Sequence, residues 1–142
     1  MGNRTTTHGY WRQRGGSNSK GTPAVYEAFI KIAFDPTQVL AGTGAWLPKG
    51  AIPTGVITLG GGTGGASPTV DVSLAGGAAG GLANEVVADT LSMTKLVAGA
   101  ELGIELTADT QIEAGVGASA ATGGTTTVLV SYLMADDGVA ND

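Results

Sequence analysis

From Val25 onward apolar residues recur at every second position, with Tyr26, Ala28, Ile30, Ile32 and Phe34 on one side and Glu27 and Lys31 among those on the other. That period predicts a strand, ended by Asp35-Pro36. A loop carrying Gly42 and Gly44 is expected next, leading to the turn-like Trp46-Leu47-Pro48-Lys49-Gly50 and an apolar run over residues 52–59. Pro53 inside that run predicts an edge or bulged position, because proline donates no ladder hydrogen bond. Alternation is clearest where Val70, Val72 and Leu74 oppose Thr69, Asp71 and Ser73. It recurs in Leu102, Ile104 and Leu106 against Glu101, Gly103 and Glu105, and in Ile112, Ala114 and Val116 against Gln111, Glu113 and Gly115. The last segment sets Val128, Val130, Tyr132 and Met134 against Leu129, Ser131 and Leu133, so it is apolar on both faces. Such a strand is central, or its outer face is covered by another subunit. Turns are expected at residues 60–65, 76–81, 98–99, 108–109 and 121–124. Residues 82–97 suit a short helix or a strand, and Leu91, Met93 and Val97 favour a strand from about Thr90 onward. About eight short strands separated by turns predict an all-β fold, an antiparallel β-sandwich or jelly roll.

Composition narrows the chemistry. The 142 residues include 25 Gly, no Cys and a single His, with 42% apolar residues and a mean hydropathy of +0.19. Without cysteine there is no disulfide framework, thiolate metal site or cysteine nucleophile, and one imidazole makes no His-rich metal site. The length suits one domain, which buries roughly 68–70% of its unfolded surface and needs no covalent staple. No uninterrupted apolar stretch of membrane-spanning length occurs, and MGNRTTTHGYWRQRGG has no signal-peptide core, so neither a membrane span nor classical export is expected.

The net charge of −5 conceals a division. Residues 1–20 hold Arg4, Arg12, Arg14 and Lys20 and no acid; the remainder holds the other 3 bases and all 12 acids. The expected organisation is an extended basic N-terminal arm over 1–22, a β-sandwich over 23–135 and an acidic tail over 136–142. The arm is too polar to offset its own ordering entropy. Extended, it would reach about 75 Å, which suits a neighbouring subunit or a larger assembly, the alternative being an arm folded onto its own acidic body. His8, Tyr10, Trp11, Arg12 and Arg14 combine cations with rings, as single-stranded nucleic-acid binders do and as protein-docking anchors do. An acidic body repels a polyanion, so protein docking is favoured.

Other motifs fail in context. Gly60-Gly61-Gly62-Thr63-Gly64-Gly65 matches the dinucleotide fingerprint, with Glu85 downstream. That site needs a helix after the third glycine, and Ser67-Pro68 leads instead into the Thr69–Leu74 strand. Met1-Gly2-Asn3-Arg4-Thr5-Thr6 fits a myristoylation pattern, but one acyl chain anchors only weakly. Asn3-Arg4-Thr5 is a formal glycosylation site without a secretory signal. Glu101 and Glu105 are expected on the solvated side of a strand, and Asp136-Asp137-Gly138 lacks the spaced oxygens of a calcium loop. A calcium ion held between subunits would leave no local motif. No catalytic constellation, cofactor site or metal site is expected.

Residues 45–56, from Ala45-Trp46-Leu47-Pro48-Lys49-Gly50-Ala51-Ile52, followed by Ser67-Pro68-Thr69-Val70-Asp71-Val72, resemble a pattern in small virion proteins of tailed phages. There a Leu-Pro-x-Gly-Ala-Ile turn precedes a strand, a Gly/Thr loop and a Thr-Val-x-Val strand. Leu106-Thr107-Ala108-Asp109-Thr110, and the stretch from Ala121-Thr122-Gly123-Gly124-Thr125 to Tyr132, resemble the end of the same proteins. The resemblance spans about residues 45–134 and leaves the basic arm outside. It implies a β-sandwich capsid decoration (cement) or head-fibre-base protein, often homotrimeric, without catalytic residues, that binds the outside of the head. The partners implied are the major capsid protein and neighbouring copies. Expected contacts are Arg4, Tyr10, Trp11, Arg12, Arg14 and Lys20 in the arm, with Trp46 either an interface aromatic or a core residue. An internal nucleic-acid-contacting virion protein and a fibre or tail adhesin are the alternatives.

Overall fold

The computed structural model describes residues 24–95 and 99–136. Eight strands follow in order: β1 Ala24–Phe34, β2 Ala41–Leu47, β3 Ile52–Thr63, β4 Thr69–Leu74, β5 Ala83–Val87, β6 Ser92–Lys95, β7 Thr110–Val116 and β8 Gly123–Asp136. The described residues contain no helix. Two antiparallel four-stranded sheets, ordered β1-β8-β3-β6 and β2-β7-β4-β5, make the expected all-β sandwich. The basic arm (1–22) lies outside the described residues, as does the acidic tail beyond Asp136.

The core is where the inner faces meet. Leu47, Val56, Val70, Val72, Leu82, Ile112, Val128 and Val130 are fully buried, with Ile32 and Phe34 beside them. Ile32, Phe34, Val70, Val72, Ile112, Val128 and Val130 are the alternating positions of β1, β4, β7 and β8, because successive side chains of a strand point to opposite faces; Leu47 and Val56 come from β2 and β3, and Leu82 from the loop before β5. Branched residues dominate, as suits a pleated surface packed on a second one. As its two-faced apolarity required, β8 is central, between β1 and β3.

Four expectations need correction. The loop anticipated around Gly42 and Gly44, with the first two residues of the turn anticipated from Trp46, is strand β2; its ladder to β7 shifts register between Gly42 and Trp46, and the Thr43 hydroxyl donates to the Ile112 carbonyl across the irregularity. Alternation misled at residues 101–106, which form a turn and a loop. Leu102 and Leu106 pack on the core, but Gly103 takes a positive φ of 79°, and the Gly103 and Leu106 amides donate to the Pro53 and Ala51 carbonyls. The segment thus lies across the start of β3 without extending a sheet. Residues 82–97 hold two strands, β5 and β6, of which only the second was anticipated. Gly60, Gly61 and Gly62 belong to the bulged end of β3 and are not a turn. Pro53 sits at a register shift as expected, but in an interior strand.

The bulged end of β3 explains the glycines there. Gly61 has φ 114°, and a Cβ on it would overlap the Thr125 carbonyl oxygen, so backbone meets backbone. Gly76 has φ 81° with nothing within 4 Å of an added Cβ. Gly61→Ala is expected to cost more than about 3 kcal/mol, and Gly76→Ala about 1 kcal/mol, for backbone conformation alone. Urea unfolding of the two variants measures the difference.

Candidate docking faces

Sheet order decides what each outer face displays. In the β1-β8-β3-β6 sheet, Val128 and Val130 point inward, so Leu129 points outward. It stands in register with Lys31 of β1 and with Ile57 of β3, which is paired in turn with Met93 of β6. On one side of this row lie Phe29 opposite Ser131, then Glu27 opposite Leu133, itself opposite Ile52. Phe29 is 50% exposed, Met93 65% and Leu59, further along β3, 45%. The outer face is therefore an apolar band across four strands, with charge at its margins. Exposed apolar side chains brought together on one face in this way mark a candidate contact surface.

Beneath this band lies a polar pair. The Thr54 and Ser131 hydroxyls are 2.7 Å apart, and the Ser131 hydroxyl donates to the Gly55 carbonyl. Thr54, the extra residue where β3 shifts register against β8, also reaches the Glu27 carboxylate at 3.4 Å. Ser131 is fully buried although its strand face looks outward, because its neighbours on that face cover it.

The other outer face has the opposite character. Asp71 of β4 and Glu113 of β7 point outward, as alternation from the buried Val72 and Ile112 requires. Glu85 stands on β5 with φ 55°, a left-handed conformation rare for a residue with a side chain. Its carboxylate accepts the Thr69 hydroxyl at 2.7 Å and the Ala118 amide at 2.8 Å; its amide donates to Asp71 at 2.8 Å. These partners hold the Glu85 carboxyl below its ordinary range, the Thr69 hydroxyl most. Burial raises the Asp71 pKa, against the lowering effect of the Glu85 amide. Glu101, expected on a solvated strand face, is half-buried at the end of β4, where its carboxylate accepts the Leu74 amide at 3.1 Å. A Cβ on Gly77 or Gly81 would overlap that carboxylate. Burial pushes the Glu101 pKa up, and the Glu113 charge adds to the rise.

Trp46, in register with Gln111 at this sheet's β2 edge, is 54% exposed and so is not a core residue. Arg4, Tyr10, Trp11, Arg12, Arg14 and Lys20 lie outside the described residues. Among the described residues no group of three His, Asp or Glu side chains is placed to hold a metal ion. The apolar band was only half visible in sequence: β8 showed two apolar faces, but the convergence of Phe29, Ile57 and Met93 depends on the strand order.

No family model matches the chain, and no curated protein matches it. Among solved structures it is similar to a chain of the cyanophage Pam1 capsid asymmetric unit, at 21% identity, 80% coverage of this chain and 86% of that one, and TM-score 0.49. It is also similar to a chain of the acidic stable capsid of the Helicobacter pylori bacteriophage KHP30, at 13% identity, coverages of 79% and 93%, and TM-score 0.45.

The Glu101 environment has a pH signature. Its folded pKa is raised, so ionisation costs the folded state stability at neutral pH, and that cost disappears as pH falls through the raised value. Glu101→Gln keeps an acceptor for the Leu74 amide. It is expected to melt above the parent protein at about pH 7, with the gap closing toward about pH 4. Thermal denaturation across that range is the measurement.

Proposed function

We propose that this protein is a non-catalytic virion structural protein, a decoration (cement) protein on the outer surface of an assembled phage head. The observation that carries the reading is the apolar outer band of the β1-β8-β3-β6 sheet, with Leu129, Ile57 and Met93 in one row and Phe29 beside it. Such a band calls for a protein surface to cover it, and the resemblance of residues 45–134 to small virion proteins supplies the kind of surface. The major capsid protein is the partner, with neighbouring copies grouped as homotrimers. The basic arm, through Arg4, Tyr10, Trp11, Arg12, Arg14 and Lys20, ties each copy to the shell or to its neighbours, and Trp46 adds an exposed aromatic contact. Stabilisation follows from mass action: a protein that binds the closed lattice better than free subunits shifts the equilibrium toward the lattice.

Surface charge weighs against a nucleic-acid role. The described strands of the β2-β7-β4-β5 sheet carry the acids Asp71, Glu85 and Glu113 and no base, and an acidic face repels a phosphate backbone.

Met93 is largely exposed, so Met93→Lys is expected to leave the melting temperature unchanged while weakening binding to purified heads about tenfold, the scale of one interface anchor. Deleting residues 1–22 is expected to lower occupancy as well. Undiminished occupancy in both variants, read by sedimentation with heads, overturns the reading.

A further inference from the structure

Among the described residues, the outer edge of β1 differs from the other three sheet edges. Edges that must stay unpaired are kept short, bulged or charged. Accordingly β6 has 4 residues, β5 has 5 with a register shift in its pairing to β4, and β2 is irregular between Gly42 and Trp46. By contrast β1 has 11 residues, and its register with β8 runs from Ala24↔Asp136 to Phe34↔Thr126 without a shift. It contains no proline or glycine. Among the described residues its only ladder is to β8.

Its outward side chains are self-complementary. Glu27, Phe29 and Lys31 lie on the outer face in that order, with Phe29 at the midpoint of Ala24–Phe34. In an antiparallel two-fold pairing centred on Phe29, Ala24 faces the partner's Phe34, so the whole strand overlaps. The same register sets Glu27 opposite the partner's Lys31, Lys31 opposite the partner's Glu27, and Phe29 against the partner's Phe29. Opposite charges and aromatic pairs at facing positions are the stabilising cross-strand pairs. A two-fold contact repeats each of them, as an isologous interface requires.

We propose that β1 pairs with β1 of a second copy about a two-fold axis through Phe29, joining two four-stranded sheets into one of eight strands. The pairing brings two Phe29 side chains and two Glu27–Lys31 pairs together and carries the apolar outer band across the joint. It uses only the β1 edge, leaving both sheet faces for other contacts. It does not rest on the decoration reading, because it concerns the free protein.

The 142 residues include no cysteine, so Phe29→Cys provides a single reporter at the axis. On mild oxidation it is expected to form a disulfide-linked dimer, whereas Val39→Cys, on an exposed loop before β2, stays monomeric. Glu27→Lys and Lys31→Glu each place like charges opposite one another and are expected to weaken self-association about tenfold. The double variant restores the pairs and the association, which a purely structural role for either residue would not do. Sedimentation equilibrium on the free protein reads these changes, and binding to heads is measured separately. A double variant as weak as the singles overturns the pairing. So does equal capture at Val39→Cys, or tighter association of Lys31→Ala, the mark of a lysine that guards a free edge.

Discussion

The requirement on which the rest of the molecule depends is that β8 be apolar on both faces. Its inward residues, Val128 and Val130, are fully buried against the second sheet. Its outward residues, Leu129 and Leu133, meet side chains of β1 and β3. Strands such as β4 and β7 face water with polar groups on one side; β8 cannot. Long flanking strands therefore lie against both of its edges. Where its own chemistry is polar, at Ser131, the hydroxyl is satisfied by Thr54 and the Gly55 carbonyl.

A division of labour between the sheets follows. One carries an apolar outer band with Glu27 and Lys31 toward its margin; the other carries Asp71, Glu85 and Glu113, three acids without a base among its described strand residues. The acids are held by local bonds, Glu85 to Thr69 and Ala118, Asp71 to the Glu85 amide. Several of them therefore have a fastening role beside their contribution to surface charge.

Strands with strict alternation and one buried face, β1, β4 and β7, were legible from sequence because burial enforces period two, and β8 was legible as a central strand from its two apolar faces. Strand β2 was not. Its glycines and its register shift break the pattern, and its pairing is held in part by the Thr43 hydroxyl, a bond no hydropathy pattern records. Residues 101–106 had the alternation without the ladder: Leu102 and Leu106 need the core, but their segment's amides donate to carbonyls at the start of β3. Glycine clusters were read as turns where close approach of backbones was the cause, as at Gly61. The candidate faces were harder still. Their residues come from four strands spread over the chain, and only the strand order places Phe29 and Met93 on one surface.

The strand that fills the middle of its sheet is also the last of the eight in the chain. Among the described residues, Ala24 to Phe34 have their only ladder with residues more than ninety positions later, and β3 shares the same partner. During synthesis β1 and β3 therefore wait, with a vacancy between them, until β8 has left the ribosome. Contacts of such sequence separation must pay loop-closure entropy first, which makes folding slow and leaves half-built sheets exposed to wrong partners. A chain built this way completes this sheet only after β8 has been made.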